Sequence, residues 1–173
     1  VQIHENLRSD AFGRPGSLRR HLACGLLQLA GVDEGSTVLD PFMGSGTILD
    51  AALRIYGADS VIGMELDAAT YEVARARFED SRSSLFARSF DELDLSLIDR
   101  QTRVVTNVPF GVRFKRVETG RLINFFSKCA LAGATITALI SRGQGATVAR
   151  ALRLQRKNVI VMGQAACILY TRW

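Results

Sequence analysis

Two short loops, each closing an apolar run, carry the residue types best suited to chemistry. The first is Asp40-Pro41-Phe42-Met43-Gly44-Ser45-Gly46-Thr47, after Thr37-Val38-Leu39. The second is Asn107-Val108-Pro109-Phe110-Gly111, after Val104-Val105-Thr106. In the first loop Gly44 and Gly46 let the backbone approach a ligand closely, and a helix starting there offers free N–H groups. No lysine follows the glycines as in a Walker loop, and Leu49 stands where a full GxGxxG would have its third glycine. Glu65, in Ile62-Gly63-Met64-Glu65-Leu66-Asp67, ends the next apolar run and can accept both hydroxyls of a ribose, with Leu66 beside it. Asp91, after Ser89-Phe90, reaches the same edge and could accept from an adenine amino group. Asp91, Glu92 and Asp94 also fit a solvated acidic cluster.

The second loop suits an exocyclic base amine. Such a nitrogen is a poor nucleophile because its lone pair is delocalised into the ring. An Asn107 side-chain oxygen and the Val108 carbonyl can accept its two hydrogens and redirect the lone pair, so that positioning and electrostatics supply most of the rate. Pro109 fixes the backbone, and Phe110 offers a face for an extracted base. Together the two loops describe a nucleotide-like cofactor beside a planar amine, an arrangement for methylating a nucleobase. Methylation at a pyrimidine carbon would need a thiolate. Cys24, Cys129 and Cys167 fall in expected helices or strands away from both loops, which favours the amine.

Those loops need a scaffold. The chain has 173 residues, 47% apolar and 23% charged, enough for one domain with a core. No apolar stretch nears the ~20 residues of a membrane helix. Three cysteines without CxxC spacing read as reduced thiols, consistent with the cytoplasm, and two histidines are too few for a metal cluster. The chain starts at Val1 without an initiator Met or a secretory signal, so a fragment of a longer protein is expected. The net charge of +5 fits a polyanionic partner. Arg113, Lys115 and Arg116, directly after the second loop, are the expected phosphate contacts.

Alternating patterns place strands near 37–40, 60–65, 84–87, 103–107, 135–141, 158–162 and 165–170. Helices are expected near 17–30, 46–56, 68–81, 118–131 and 146–156. This order predicts an α/β fold with a mostly parallel sheet and helices on both faces. Only Gly163-Gln164 separates the last two runs, so they must pair antiparallel through a tight hairpin.

DPFMGSGT, GMELD and TNVPFG together resemble the Rossmann-like S-adenosylmethionine-dependent amino-methyltransferases, and most closely the THUMP-associated RNA methyltransferases that form N2-methylguanosine. The resemblance runs from about Arg14 to Trp173. It implies a seven-stranded sheet with a reversed last strand and S-adenosyl-L-methionine as cofactor. Asp40, Phe42, Gly44 and Gly46 match the cofactor loop; Glu65, Leu66 and Asp91 match the nucleoside contacts. Pro15, Ser17 and Leu18 match the segment lining the methionine end, and Asn107, Pro109 and Phe110 the catalytic motif. Val108, where the wider family often has proline, resembles the guanine-N2 branch more than the adenine-N6 branch. The expected unit is one methyltransferase domain over residues 1–173, lacking an N-terminal RNA-binding domain, with tRNA or rRNA as partner and no metal. Two alternatives are an adenine-N6 methyltransferase on DNA or RNA and a non-catalytic RNA-binding module that keeps the cofactor fold.

Overall fold

A computed structural model describes residues 18–78, 81–110, 117–155, 159–163 and 165–171. Seven strands form one sheet: β1 (Thr37–Asp40), β2 (Ser60–Met64), β3 (Ser83–Phe86), β4 (Thr102–Asn107), β5 (Thr135–Ser141), β6 (Val159–Met162) and β7 (Ala166–Tyr170). The helices are α1 (Arg20–Ala30), α2 (Thr47–Arg54), α3 (Ala68–Arg75), α4 (Thr119–Leu131) and α5 (Arg142–Ala151). Their order across the sheet is β3-β2-β1-β4-β5-β7-β6. β1 to β5 run parallel, and β7 lies antiparallel between β5 and β6, as the short connection of residues 163–165 requires.

Burial on both faces follows from the two-residue period of a strand. Neighbours in sequence enter opposite cores. Leu39 and Val104 pack with Met64, Ile136, Leu122 and Phe126 on the α4–α5 side. Val38 and Val105 pack with Val61, Leu27, Leu49 and Leu53 on the α1–α2 side. Parallel strands buried on both faces thus need apolar residues in succession at their centres, as Val38-Leu39, Val61-Ile62 and Val104-Val105 supply.

Helix ends carry recognisable stops and starts. Gly31 closes α1 in the left-handed region at φ 68°, its N–H donating to the Leu27 and Gln28 carbonyls. Asp67 opens α3, accepting from the Thr70 N–H at 2.8 Å. The largest shifts from the expected boundaries fall in α3 and α5, and α5 ends at Ala151 rather than near residue 156. α3 ends at Arg75 rather than near residue 81. α5 begins at Arg142, about one turn before the expected start at 146, because the Ser141 hydroxyl accepts from the Gln144 N–H and caps it directly at the end of β5. Gly143 and Gly145 weaken helix propensity across that turn and hide it in the sequence. No helix among the described residues is long and apolar enough to cross a membrane.

Candidate active site

The sheet order puts β1 and β4 side by side, so the two loops leave adjacent strand ends. In open α/β sheets this carboxyl edge is where ligands sit. The loops are joined by a buried polar contact. Asp40, 1% exposed at the tip of β1, accepts at Oδ1 from the Thr106 hydroxyl of β4 at 2.7 Å and from the Phe42 N–H at 3.1 Å. Burial pushes its carboxyl up to about 7, the Thr106 and Phe42 bonds pull it down, and the nearby Glu65 charge adds to the rise. Thr106 is a residue that the sequence reading passed over. Its signal is a polar side chain directly after Val104-Val105 and before the second loop.

The glycine loop is shaped by two left-handed residues, Gly44 at φ 54° and Gly46 at φ 81°. Any side chain at Gly46 would collide with the Phe78 ring. Met43 N–H donates to the Met64 carbonyl at 3.0 Å, tying the loop to the end of β2. Glu65, the next residue, accepts the Gly44 N–H at 3.2 Å on one carboxylate oxygen and the Asp67 N–H at 2.8 Å on the other. It therefore sits half-buried beside the loop with its carboxylate oriented by backbone. Leu66 is 74% exposed, an apolar side chain laid open next to that carboxylate.

Phe42 contacts Phe90 at 4.9 Å between centroids, and Phe90 meets Phe125 edge-on at 5.4 Å. Asp91 follows Phe90 in a 3-10 turn that Ser89 and Glu92 close as a capping box. Its carboxylate takes two Arg121 bonds, of 3.0 and 2.5 Å, and the same guanidinium stands 5.1 Å over the Phe90 ring. The Ser89 hydroxyl and then Arg121 hold the Asp91 carboxyl below the usual range. Of the acidic cluster, Asp91 is thus paired, while Asp94 caps a second 3-10 turn by accepting from the Ser96 N–H. Arg121 was not singled out for this position by the sequence.

Asn107 ends β4 in register with Leu139 of β5. Its side-chain Oδ1 is buried and takes no hydrogen bond from any described residue. Val108 donates its N–H to the Leu139 carbonyl at 2.9 Å and is fully buried in the α4–α5 core, so the residue that replaces a frequent proline is held by packing. Phe110 turns the other way and packs, half-buried, on the α1–α2 core with Leu18. Pro15, Ser17, Arg113, Lys115 and Arg116 lie outside the described residues. Cys24, Cys129 and Cys167 are free and fall on α1, α4 and β7, away from both loops. An apolar cleft of about 480 Å³, between α1 and the β6–β7 hairpin, takes no residue from either loop.

Three comparisons bear on this arrangement. The profile of UPF0020, the RMKL-like methyltransferase domain, matches residues 8–152. The chain is 35% identical over 132 residues to the tRNA (guanine(6)-N2)-methyltransferase of Thermus thermophilus, covering 68% of this chain and 37% of that protein. It is 35% identical over 103 residues to the tRNA (guanine(10)-N2)-dimethyltransferase of Methanothermobacter thermautotrophicus, covering 58% and 30%. Among solved structures, TrmN from Thermus thermophilus superposes with a TM-score of 0.65 at 27% identity, over 90% of this chain and 49% of that one. The chain spans about a third of the length of these curated relatives.

Proposed function

Since this chain belongs to the UPF0020 family of RMKL-like methyltransferase domains, we propose that it transfers a methyl group from S-adenosyl-L-methionine to the N2 amine of guanine in an RNA, tRNA or rRNA. The observation that carries this reading is the buried, unpartnered Oδ1 of Asn107 at the mouth of the glycine-loop edge. A buried acceptor left without a donor costs about 1–3 kcal/mol. An amine hydrogen placed there recovers that cost.

The residues around the edge fit the cofactor. Glu65 would accept the ribose hydroxyls, since its carboxylate is already oriented by Gly44 and Asp67. Exposed Leu66 offers an apolar face to the adenine, and Asp91 an acceptor for its amino group. Gly44 leaves the backbone bare where the ligand would pass, with open space where a side chain would stand, while Gly46 makes room for the Phe78 ring behind the loop. Leu18, with Pro15 and Ser17, would line the methionine end. When bound, S-adenosylmethionine supplies an electrophilic sulfonium methyl. The chain's own work is to hold the amine: Asn107 Oδ1 and the Val108 carbonyl accept its hydrogens, and the Phe110 ring stacks on the base. Arg113, Lys115 and Arg116 would grip phosphates beside the extracted base. Guanine is favoured over adenine by both curated relatives, which are guanine-N2 enzymes by name.

The test is a methyl-transfer assay with labelled cofactor on tRNA and rRNA fragments, with the product nucleoside identified by mass spectrometry. N2-methylguanosine that disappears in Asn107→Ala, with S-adenosylhomocysteine binding retained, is the expected result. N6-methyladenosine as the sole product would transfer the assignment to the adenine alternative. Unchanged transfer by Asn107→Ala would remove Asn107 from the mechanism.

A further inference from the structure

Behind the glycine loop lies a polar cluster that the reading above leaves unused. Asp50, in the first turn of α2, is only 4% exposed. Three arginines from three segments meet its carboxylate. Arg54 donates to Oδ1 at 2.6 Å, Arg77 to Oδ2 at 2.9 Å, and Arg20 of α1 to Oδ2 at 3.5 Å. One buried carboxylate facing three guanidiniums has more positive partners than neutralisation needs. Loss of any single arginine leaves it paired, so charge balance alone does not explain all three.

Arg77 differs from the other two in what its second nitrogen does. Nη1 donates to the carbonyl of Ser45, between Gly44 and Gly46, at 3.3 Å. The neighbouring residue, Phe78, has its ring against Gly46. The turn that ends α3 is itself fixed, with Arg77 N–H on the Ala74 carbonyl and Phe78 N–H on the Arg75 carbonyl. A rigid two-residue step therefore backs the loop, one side chain holding its carbonyl and the other its bare glycine. From the far side, Gly44 N–H reaches Glu65.

We propose that Arg77 is a positioning residue for the cofactor site: it carries the fixed charge of Asp50 to the Ser45 carbonyl and so keeps the glycine loop in register with Glu65. This rests on the cofactor reading above. A planar guanidinium can span the two acceptors, whereas a lysine ammonium satisfies the carboxylate as a point charge without matching that fork.

Three variants separate the tether from simple charge loss: Arg77→Met, Arg77→Lys and, as control, Arg54→Met, which removes a partner of the same carboxylate but touches no loop residue. Calorimetry with S-adenosylhomocysteine should show affinity lowered about fivefold, the equivalent of one modest hydrogen bond, in both Arg77 variants and unchanged in Arg54→Met. Hydrogen exchange without ligand should speed up at the amides of Gly44 to Thr47 in the Arg77 variants alone. Arg77→Lys should melt within about 3 °C of the parent chain, because Asp50 stays paired. Equal effects in Arg54→Met, or parental affinity and exchange in both Arg77 variants, would overturn the tether. If the parent chain itself binds no S-adenosylhomocysteine, the cofactor reading fails, and loop exchange still decides the tether by itself.

Discussion

Asp40→Asn tests the electrostatics of the joint between the two loops. In the folded chain the Asp40 carboxyl titrates at about 7 against an ordinary 3.8. Between those values the native state keeps a proton that the unfolded chain has released. Stability linked to this group is therefore complete below about pH 4, declines as pH rises, and is fully lost above about pH 7. A gap of about three units, at about 1.4 kcal/mol each, sets a ceiling of roughly 4 kcal/mol. Asparagine never ionises, and its side-chain oxygen can still accept from both the Thr106 hydroxyl and the Phe42 N–H, since both bonds fall on Oδ1. Urea unfolding at pH 5 and pH 8.5 would measure this. By pH 5 about one of those units is already lost, so the parent chain should lose a further ~3 kcal/mol relative to the variant on going to the higher pH. Taking the difference between the two chains cancels every other titrating group. A parent and variant that fall in parallel would refute the buried-carboxylate argument.

Other perturbations probe the remaining parts of the edge. Glu65→Ala should weaken S-adenosylhomocysteine binding by about 1–3 kcal/mol, read by calorimetry, because the ribose hydroxyls lose their acceptor; unchanged affinity would remove Glu65 from the site. Gly46→Ala forces a side chain into the left-handed region and against Phe78, and should lower stability by about 1–3 kcal/mol in chemical denaturation; a parental unfolding midpoint would contradict the close approach. Replacing Arg113, Lys115 and Arg116 together should reduce the slope of log affinity against log salt for tRNA by about 2 to 3, at close to one released counterion per phosphate contact; an unchanged slope would move the RNA surface elsewhere.

Strand positions were readable because a buried parallel strand needs apolar residues in succession at its centre, and Val104-Val105 or Ala138-Leu139-Ile140 supply them. The reversal at β7 was readable from Gly163-Gln164, since two residues cannot carry a crossover. Glu65 stands at the end of β2 as expected, but its bonds to Gly44 and Asp67 depend on backbone geometry that no spacing rule encodes. Three-dimensional convergence hid more. Asp50, Arg20 and Arg77 are far apart in sequence, and each alone resembles an ordinary helix-surface charge. The start of α5 was obscured by two glycines, one of which, Gly145, is required because a side chain there would strike Cys167.

The strand order has a consequence for how the chain is made. β7 is the last of these seven strands to be synthesised, yet it lies inside the sheet, and β6 joins only through it. Until Tyr170 has left the ribosome, β5 is a raw edge, with five consecutive buried residues and open backbone donors and acceptors. The nascent chain is then a half-finished sheet of the kind that pairs with strangers. Chaperone occupancy during translation should peak in that interval, and codons that slow synthesis between β5 and β7 should lower the soluble yield.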